Sequence, residues 1–227
     1  MIQEIYLTID DAPSIHLSKK VDFLKSKNIP ALFFVRGEFI NKNFAQLIYA
    51  IVAGFEIGNH SFSHPYYSET ENATFFDEIL KTEELINFAY QKANRPRAHK
   101  FIRLPFGDRG AGRNGILPNN LVEIEKSFAL QSFLINQGFE KISFKKTSLA
   151  ADTHIDAFWS WDALDYKSKL IANKDDYAAK FEAAILNNTN SRQVLLLHDF
   201  ESNYHLFETS MEILERHKIK FLPITKN

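Results

Sequence analysis

The sequence predicts an α/β fold built on a parallel sheet, closed or partly closed. Three observations predict it. Short β-rich runs alternate with helical periodicity along the whole chain. No linker, internal repeat or low-complexity segment interrupts that alternation. Polar clusters recur directly after the apolar runs, where α/β barrels gather their reactive side chains. A single domain over residues 1–227 is expected, a length within range for one barrel-type domain.

The elements follow in order. Ile5 to Ile9 reads as the first strand, and Ser14 can cap a helix carrying Leu17, Val21 and Leu24 on one face. Asn28-Ile29-Pro30 ends that helix, and Ala31 to Val35 is the second strand. A helix over Phe44 to Ala53 leads through Gly54 into a short strand, Phe55 to Ile57. Phe75, Ile79, Thr82, Ile86 and Ala89 recur every three or four residues and predict a long helix. Lys100 to Arg103 reads as a strand, and Gly107 to Pro118, with four glycines and a proline, as a long loop. Leu121, Ile124, Phe128 and Ile135 mark a further helix that Gly138 stops. Ala157 to Trp161 is strand-like, and Tyr177, Phe181 and Ile185 share a helix face. Val194 to Leu197 is a continuous apolar run. Phe207, Met211 and Leu214 stripe the last helix before Ile219 to Leu222.

Composition narrows the function. Hydrophobic residues make up 45% of the chain and 21 residues are phenylalanine, which suits a filled interior. With 27 basic and 28 acidic residues and no basic run, neither nucleic acid nor an anionic membrane is expected as main partner. The absence of cysteine excludes disulfides and thiolate metal sites. No run approaches the ~18 apolar residues of a membrane span. Met1-Ile2-Gln3-Glu4 runs straight into strand pattern with no visible export signal, so a cytoplasmic location is expected.

Five clusters stand at equivalent positions: Asp10-Asp11, Gly58 to His64, Arg103 to Gly107, Trp161 to Tyr166, and His198-Asp199. Adjacent carboxylates at the end of a buried strand repel and cost desolvation energy unless a charge offsets them. His60 and His64, four apart, would share one face of a helical turn and could grip a cation, although such pairs also arise as cap or surface histidines. If Asp11 joins them, the cation offsets the repulsion and Asp10 stays ionised as a base, oriented by Arg103. Asp-Asp-Ala-Pro is otherwise a helix cap, which needs only one acid. His198 closes a buried strand beside an acid, where it either reacts or bonds a backbone carbonyl. Phe106, Trp161 and Tyr166 could line a groove; Trp159 is assigned to the core.

Together the clusters resemble the polysaccharide deacetylase family, the NodB-homology domain of carbohydrate esterase family four. "TIDDAP" is similar to its T-F-D-D-G motif, "HSFSH" to H-S/T-x-x-H, and "RLPFG" to R-x-P-x-G. "WSWDALDY" is similar to the motif ending D-x-x-D-W and "LLLHD" to the closing L-x-H, and the five stand in the family's order. The resemblance implies a distorted (β/α) barrel of about seven strands and a divalent metal, most often Zn²⁺. It implies Asp11, His60 and His64 as ligands, Asp10 as general base and His198 as general acid. Arg103 would then orient Asp10, and an acid of the fourth motif, Asp165 rather than Asp162, would orient His198. Leu196 would line the pocket for the acyl methyl, and the Phe106 backbone N–H would face the oxyanion. Ala12 replaces the usual glycine and Tyr166 the usual tryptophan, and the segment from Asp108 to Phe158 is long.

The function expected is a metal-dependent N-deacetylase acting on an amino sugar or glycan. Two alternatives stand beside it: a cytosolic amidohydrolase of a small non-sugar amide, ureide or imide, and a non-catalytic carbohydrate-binding domain. An open groove with exposed aromatics would favour a glycan, and a pocket closed by the loop after Gly107 would favour a small amide.

Overall fold

The computed structural model describes residues 1–112 and 120–225. In chain order the elements are β1 (Glu4–Ala12), α1 (Leu17–Ser26), β2 (Ala31–Val35), α2 (Gly37–Ile40), α3 (Phe44–Val52), β3 (Glu56–Asn59), α4 (Asn72–Lys92) and α5 (Leu121–Asn136). They continue as β4 (Trp161–Asp162), α6 (Ser168–Ile171), α7 (Lys174–Asn187), β5 (Arg192–His198), α8 (Tyr204–Arg216) and β6 (Lys220–Phe221). The strands form one parallel sheet in the order β3-β2-β1-β5-β4, with β6 beside the start of β1.

Period-two alternation sorts the strands' side chains into two layers. Ile5, Leu7 and Ile9 of β1, Phe33 and Val35 of β2, and Leu195 and Leu197 of β5 pack under the helices. Tyr6, Leu32, Phe34 and Val194 face the opposite way, with Phe101, Phe144 and Ala157, and fill the barrel interior. Because both faces are covered, β1 and β5 read as continuous apolar runs.

The sequence expectation of about seven strands resolves, among the described residues, into six strands and isolated bridges. Lys100 to Arg103 contributes only the bridge Ile102↔Asn59, and Ala157 to Trp161 forms a strand only from Trp161. Individual backbone bonds nevertheless continue the barrel wall: Asn59 N–H to Phe101 O, Ala157 N–H to Ile102 O, and Ser160 N–H to Val194 O. Here the Arg103 side chain fills the interior and bonds the carbonyls of Ala157 and Phe158, holding those backbones apart from regular pairing. The barrel is therefore closed but distorted. Part of the predicted loop, residues 113–119, lies outside the described residues.

Two local expectations change. Ser14 does not cap α1; its hydroxyl and N–H both donate to Asp199. Gly138 does stop α5, at φ +73°, with its N–H on Ile135 O and the Phe139 N–H on Leu134 O. The Leu121–Ile135 stripe, however, faces solvent: α5 buries Ser127, Leu130 and Leu134 instead.

Candidate active site

Strand parity places the first groups. Asp10 and His198 are register partners on neighbouring strands, and both face the interior above Thr8 and Leu196. Asp11 should then point away, toward the helices. It does not, because the β1–β2 register shifts between Ile9 and Ala12 and Asp11 takes a left-handed φ of 60°. A bulge of this kind turns two successive residues toward one side, and aspartate tolerates the conformation better than most residues. Two adjacent carboxylates thereby share one site.

His60 and His64 do not lie on a helical turn, contrary to the sequence expectation. They bracket a loop in which Asn59 Oδ1 accepts from Ser61 N–H, and Ser61 Oγ from His64 N–H. Ser61 and His64 both adopt positive φ, and bonds from His60 N–H to Val35 O and Gly37 N–H to Ser61 O pin the loop to β2. The result brings the two Nε2 atoms to 3.2 Å.

Asp11 Oδ1 lies 3.9 Å from His60 Nε2 and 3.7 Å from His64 Nε2. It is buried and has no hydrogen-bond partner. His60 Nδ1 is 2.8 Å from the Arg103 carbonyl, which can only accept, so the proton sits on Nδ1 and the Nε2 lone pair faces Asp11. Burial pushes His60 down to about 3 and His64 down to about 2, keeping both imidazoles neutral, and pushes Asp11 up to about 6. Neutral imidazoles and an orphaned carboxylate oxygen are the donor set of a divalent cation, and these three residues fit one.

Around this cluster, Arg103 is fully buried and donates from Nη1 to Asp10 Oδ1 at 2.8 Å and to Thr8 Oγ1 at 2.8 Å. The other Asp10 oxygen lies 3.6 Å from His60 Nε2. His198 Nδ1–H donates to Asp165 Oδ1 at 2.7 Å, while the His198 N–H and Asn203 Nδ2 hold Asp165 Oδ2. Burial opposes the charged form of His198, but the Asp165 carboxylate, with Asp11 and Asp10 beyond, outweighs it and raises the imidazolium to about 9. Asp162 turns elsewhere, to Leu164 N–H and the Tyr166 hydroxyl.

These groups open into a cleft of about 680 Å³. Phe106, Tyr166 and Leu196 line it as the sequence suggests. Phe106 sits at φ 58° with its ring stacked on Tyr66, centroids 3.8 Å apart, and edge-on to His64. Trp161 is a correction. It pairs with Leu195, so it points into the helix-facing layer, packs on Phe181 and is only 7% exposed, while its neighbour Asp162 reaches the cleft. Trp159, assigned to the core from sequence, is the tryptophan that lines the cleft.

Sequence reasoning missed Arg36. It follows β2, lines the cleft, and brings Nη1 to 3.5 Å from Asp11 Oδ1 while pairing with Glu38. A charged residue ending an apolar strand was the available signal, the same one that marked the other clusters. It also missed the pair behind His198, where buried Lys20 and Asp199 meet at 2.8 Å. A lysine within an amphipathic helix gives no sign of burial.

With the geometry in view, comparison with known proteins is informative. A family model described as polysaccharide deacetylase matches residues 2–119. A peptidoglycan-N-acetylglucosamine deacetylase of Bacillus cereus is 35% identical over 153 residues, covering 66% of this chain and 49% of that protein. A chitooligosaccharide deacetylase of Bradyrhizobium is 37% identical over 107 residues, covering 46% of this chain and 47% of that protein. The chain thus spans about half the length of these curated relatives. A solved polysaccharide deacetylase from Bacillus cereus superposes with a TM-score of 0.66 at 21% identity, over 97% of this chain and 91% of that one.

Proposed function

This chain belongs to the polysaccharide deacetylase family, and from that premise we propose that it hydrolyses the N-acetyl, or a similar small N-acyl, group of an amino sugar or glycan. One observation carries the reading: Asp10 and His198, register partners on adjacent strands, line the same cleft as the Asp11–His60–His64 cluster. A carboxylate paired with a buried guanidinium and an imidazolium held protonated, in one cleft, are a base and an acid for splitting an amide.

A divalent cation held by Asp11, His60 and His64, Zn²⁺ by the character of the donors, would supply Lewis-acid polarisation of the amide carbonyl. Asp10 takes the proton of the attacking water, and Arg103 fixes the carboxylate so that its other oxygen is the one presented. His198 gives its proton to the leaving amine from Nε2, since Nδ1 is committed to Asp165. Leu196 would border the space for the acyl methyl, and the backbone of Phe106, in its turn at the cleft, would face the carbonyl oxygen. Phe106 and Tyr166, 48% and 42% exposed, present ring surface to a sugar face, which favours a glycan over a small buried amide. The retained Asp10 and His198 disfavour a silent binding domain.

The test is release of acetate or formate by metal-loaded protein from N-acetylglucosamine oligomers, nucleotide-linked amino sugars and small ureides. Acetate from the amino sugars, lost on chelation and recovered with Zn²⁺, is expected. Turnover undiminished by chelation, or release from ureides alone, would overturn the reading.

A further inference from the structure

Helix α5 is apolar on two faces, and only one of them is covered. Ser127, Leu130 and Leu134 face the protein. Beside that face Leu121, Ile124, Phe128 and Ile135 are 76, 50, 74 and 59% exposed, four of the thirteen exposed large hydrophobic residues among those described. At 100° per residue Leu121, Ile124, Phe128 and Ile135 fall within an arc of about 60°. Leu121, Phe128 and Ile135 stand seven apart with Ile124 between them, the spacing of a seam that packs against another helix. A surface helix ordinarily carries polar residues there.

We propose that this seam is the interface through which two copies of the chain associate, α5 against α5, antiparallel about a two-fold axis near the middle of the helix. Charge placement selects that arrangement. Glu123, Glu125 and Lys126 all lie in the N-terminal half of α5, and from Ser127 to Asn136 the helix carries no charge. An antiparallel pairing lays each acidic half over the partner's neutral half, whereas a parallel pairing sets like charges opposite each other. The antiparallel helix dipoles also attract. The Glu125 carboxylate flanking the seam disfavours an anionic lipid surface, and a net charge of −1 leaves little long-range repulsion between copies.

The area is sufficient. Four such side chains leave on the order of 500 Å² of apolar surface uncovered on each copy, and two copies reach about 1,000 Å², the lower bound for a specific interface. The N-terminal part of α5 also packs on the loop beside the cleft: a Cβ on Gly110 would meet Glu123 O at 3.3 Å, and Gly112 lines the cleft. Association along α5 therefore sets two clefts on one particle.

Sedimentation equilibrium over a concentration series tests the proposal without reference to activity. The native chain is expected to dimerise with a dissociation constant on the order of micromolar. Phe128→Glu, and separately Leu121→Gln with Ile124→Gln, should raise that constant at least about 30-fold. Circular dichroism should stay unchanged, and so should thermal melting at concentrations below the dissociation constant, where both proteins are monomers in which these side chains touch solvent. A native chain that stays monomeric to about 100 μM, roughly a hundredfold above the expected constant, overturns the proposal. So do variants that dimerise as well as the native chain, or a monomer that binds anionic phospholipid vesicles through this face.

Discussion

Replacing Asp165 with asparagine isolates what the carboxylate does for His198. Asparagine Oδ1 can still accept from Nδ1–H at the present 2.7 Å, so the ring keeps its orientation while the charge is lost. The rise of His198 from 6.5 to about 9 favours the imidazolium by about 3 kcal/mol. Once the charge is gone, burial is opposed chiefly by Asp11 and Asp10 beyond, and the group falls from its raised value. The proton donor must be charged to act, so activity falls as pH rises through its pKa. The native basic limb of kcat/KM is therefore expected near pH 9, and that of Asp165→Asn at clearly lower pH. Stability follows the same sign. A group whose folded pKa is raised contributes fully below its unfolded value and loses that contribution between pH 6.5 and about 9. The native melting temperature should decline across that window and the variant's should not. The new amide faces two donors, His198 N–H and Asn203 Nδ2, and costs about 1–3 kcal/mol, so the profile is taken where circular dichroism shows folded protein. A basic limb unmoved in folded Asp165→Asn would refute this account of His198.

Asp10→Asn should keep full Zn²⁺ stoichiometry by competition with a chromophoric chelator yet lose turnover, while His60→Ala or Asp11→Ala should lose the metal itself. Arg36→Leu should tighten metal binding on the order of ten-fold in the same competition, because a guanidinium 3.5 Å from Asp11 Oδ1 opposes a cation there. Trp161→Ala should cost about 3–5 kcal/mol in denaturant unfolding with KM little changed, and Trp159→Ala should chiefly raise KM, since only Trp159 lines the cleft.

What could be read in the sequence follows from cost. A charge at the end of an apolar strand is expensive, so Asp10, Asp11, Arg103 and His198 stand out without any structure, and all four meet at one place. Periodicity is less informative, since it reveals a face without saying which way it turns. Leu121, Ile124, Phe128 and Ile135 mark the helix but not the side by which it packs, because the packed side includes Ser127 and so shows a weaker pattern. Trp161 and Trp159 exchanged places for a similar reason. Strand parity holds only where a strand exists, and regular pairing begins at Trp161. Residues 100–103 have strand composition, but the Arg103 side chain occupies the space regular pairing would need, which no local pattern reports.

The ion pair behind the site explains why the register of β1 and β5 suffices to place the chemistry. Lys20 Nζ, fully buried, reaches Asp199 Oδ1 at 2.8 Å and the His198 carbonyl at 3.1 Å. The same Asp199 accepts from the Ser14 N–H and hydroxyl, and its own N–H donates to Asp10 O. Burying two charges to join α1 to two strand ends costs more in desolvation than an apolar contact would, so net stability is a poor reason for the arrangement. Its geometric effect is specific. The Ser14 and Asp10 bonds tie the segment carrying Asp10 and Asp11 to the segment carrying His198, and Lys20 ties the latter to α1, leaving neither strand end free to slide past the other. In the hydrolysis proposed above, Asp10 and His198 as base and acid would need that constraint, and neither parallel pairing nor hydrophobic packing supplies it beyond the last residue of the sheet.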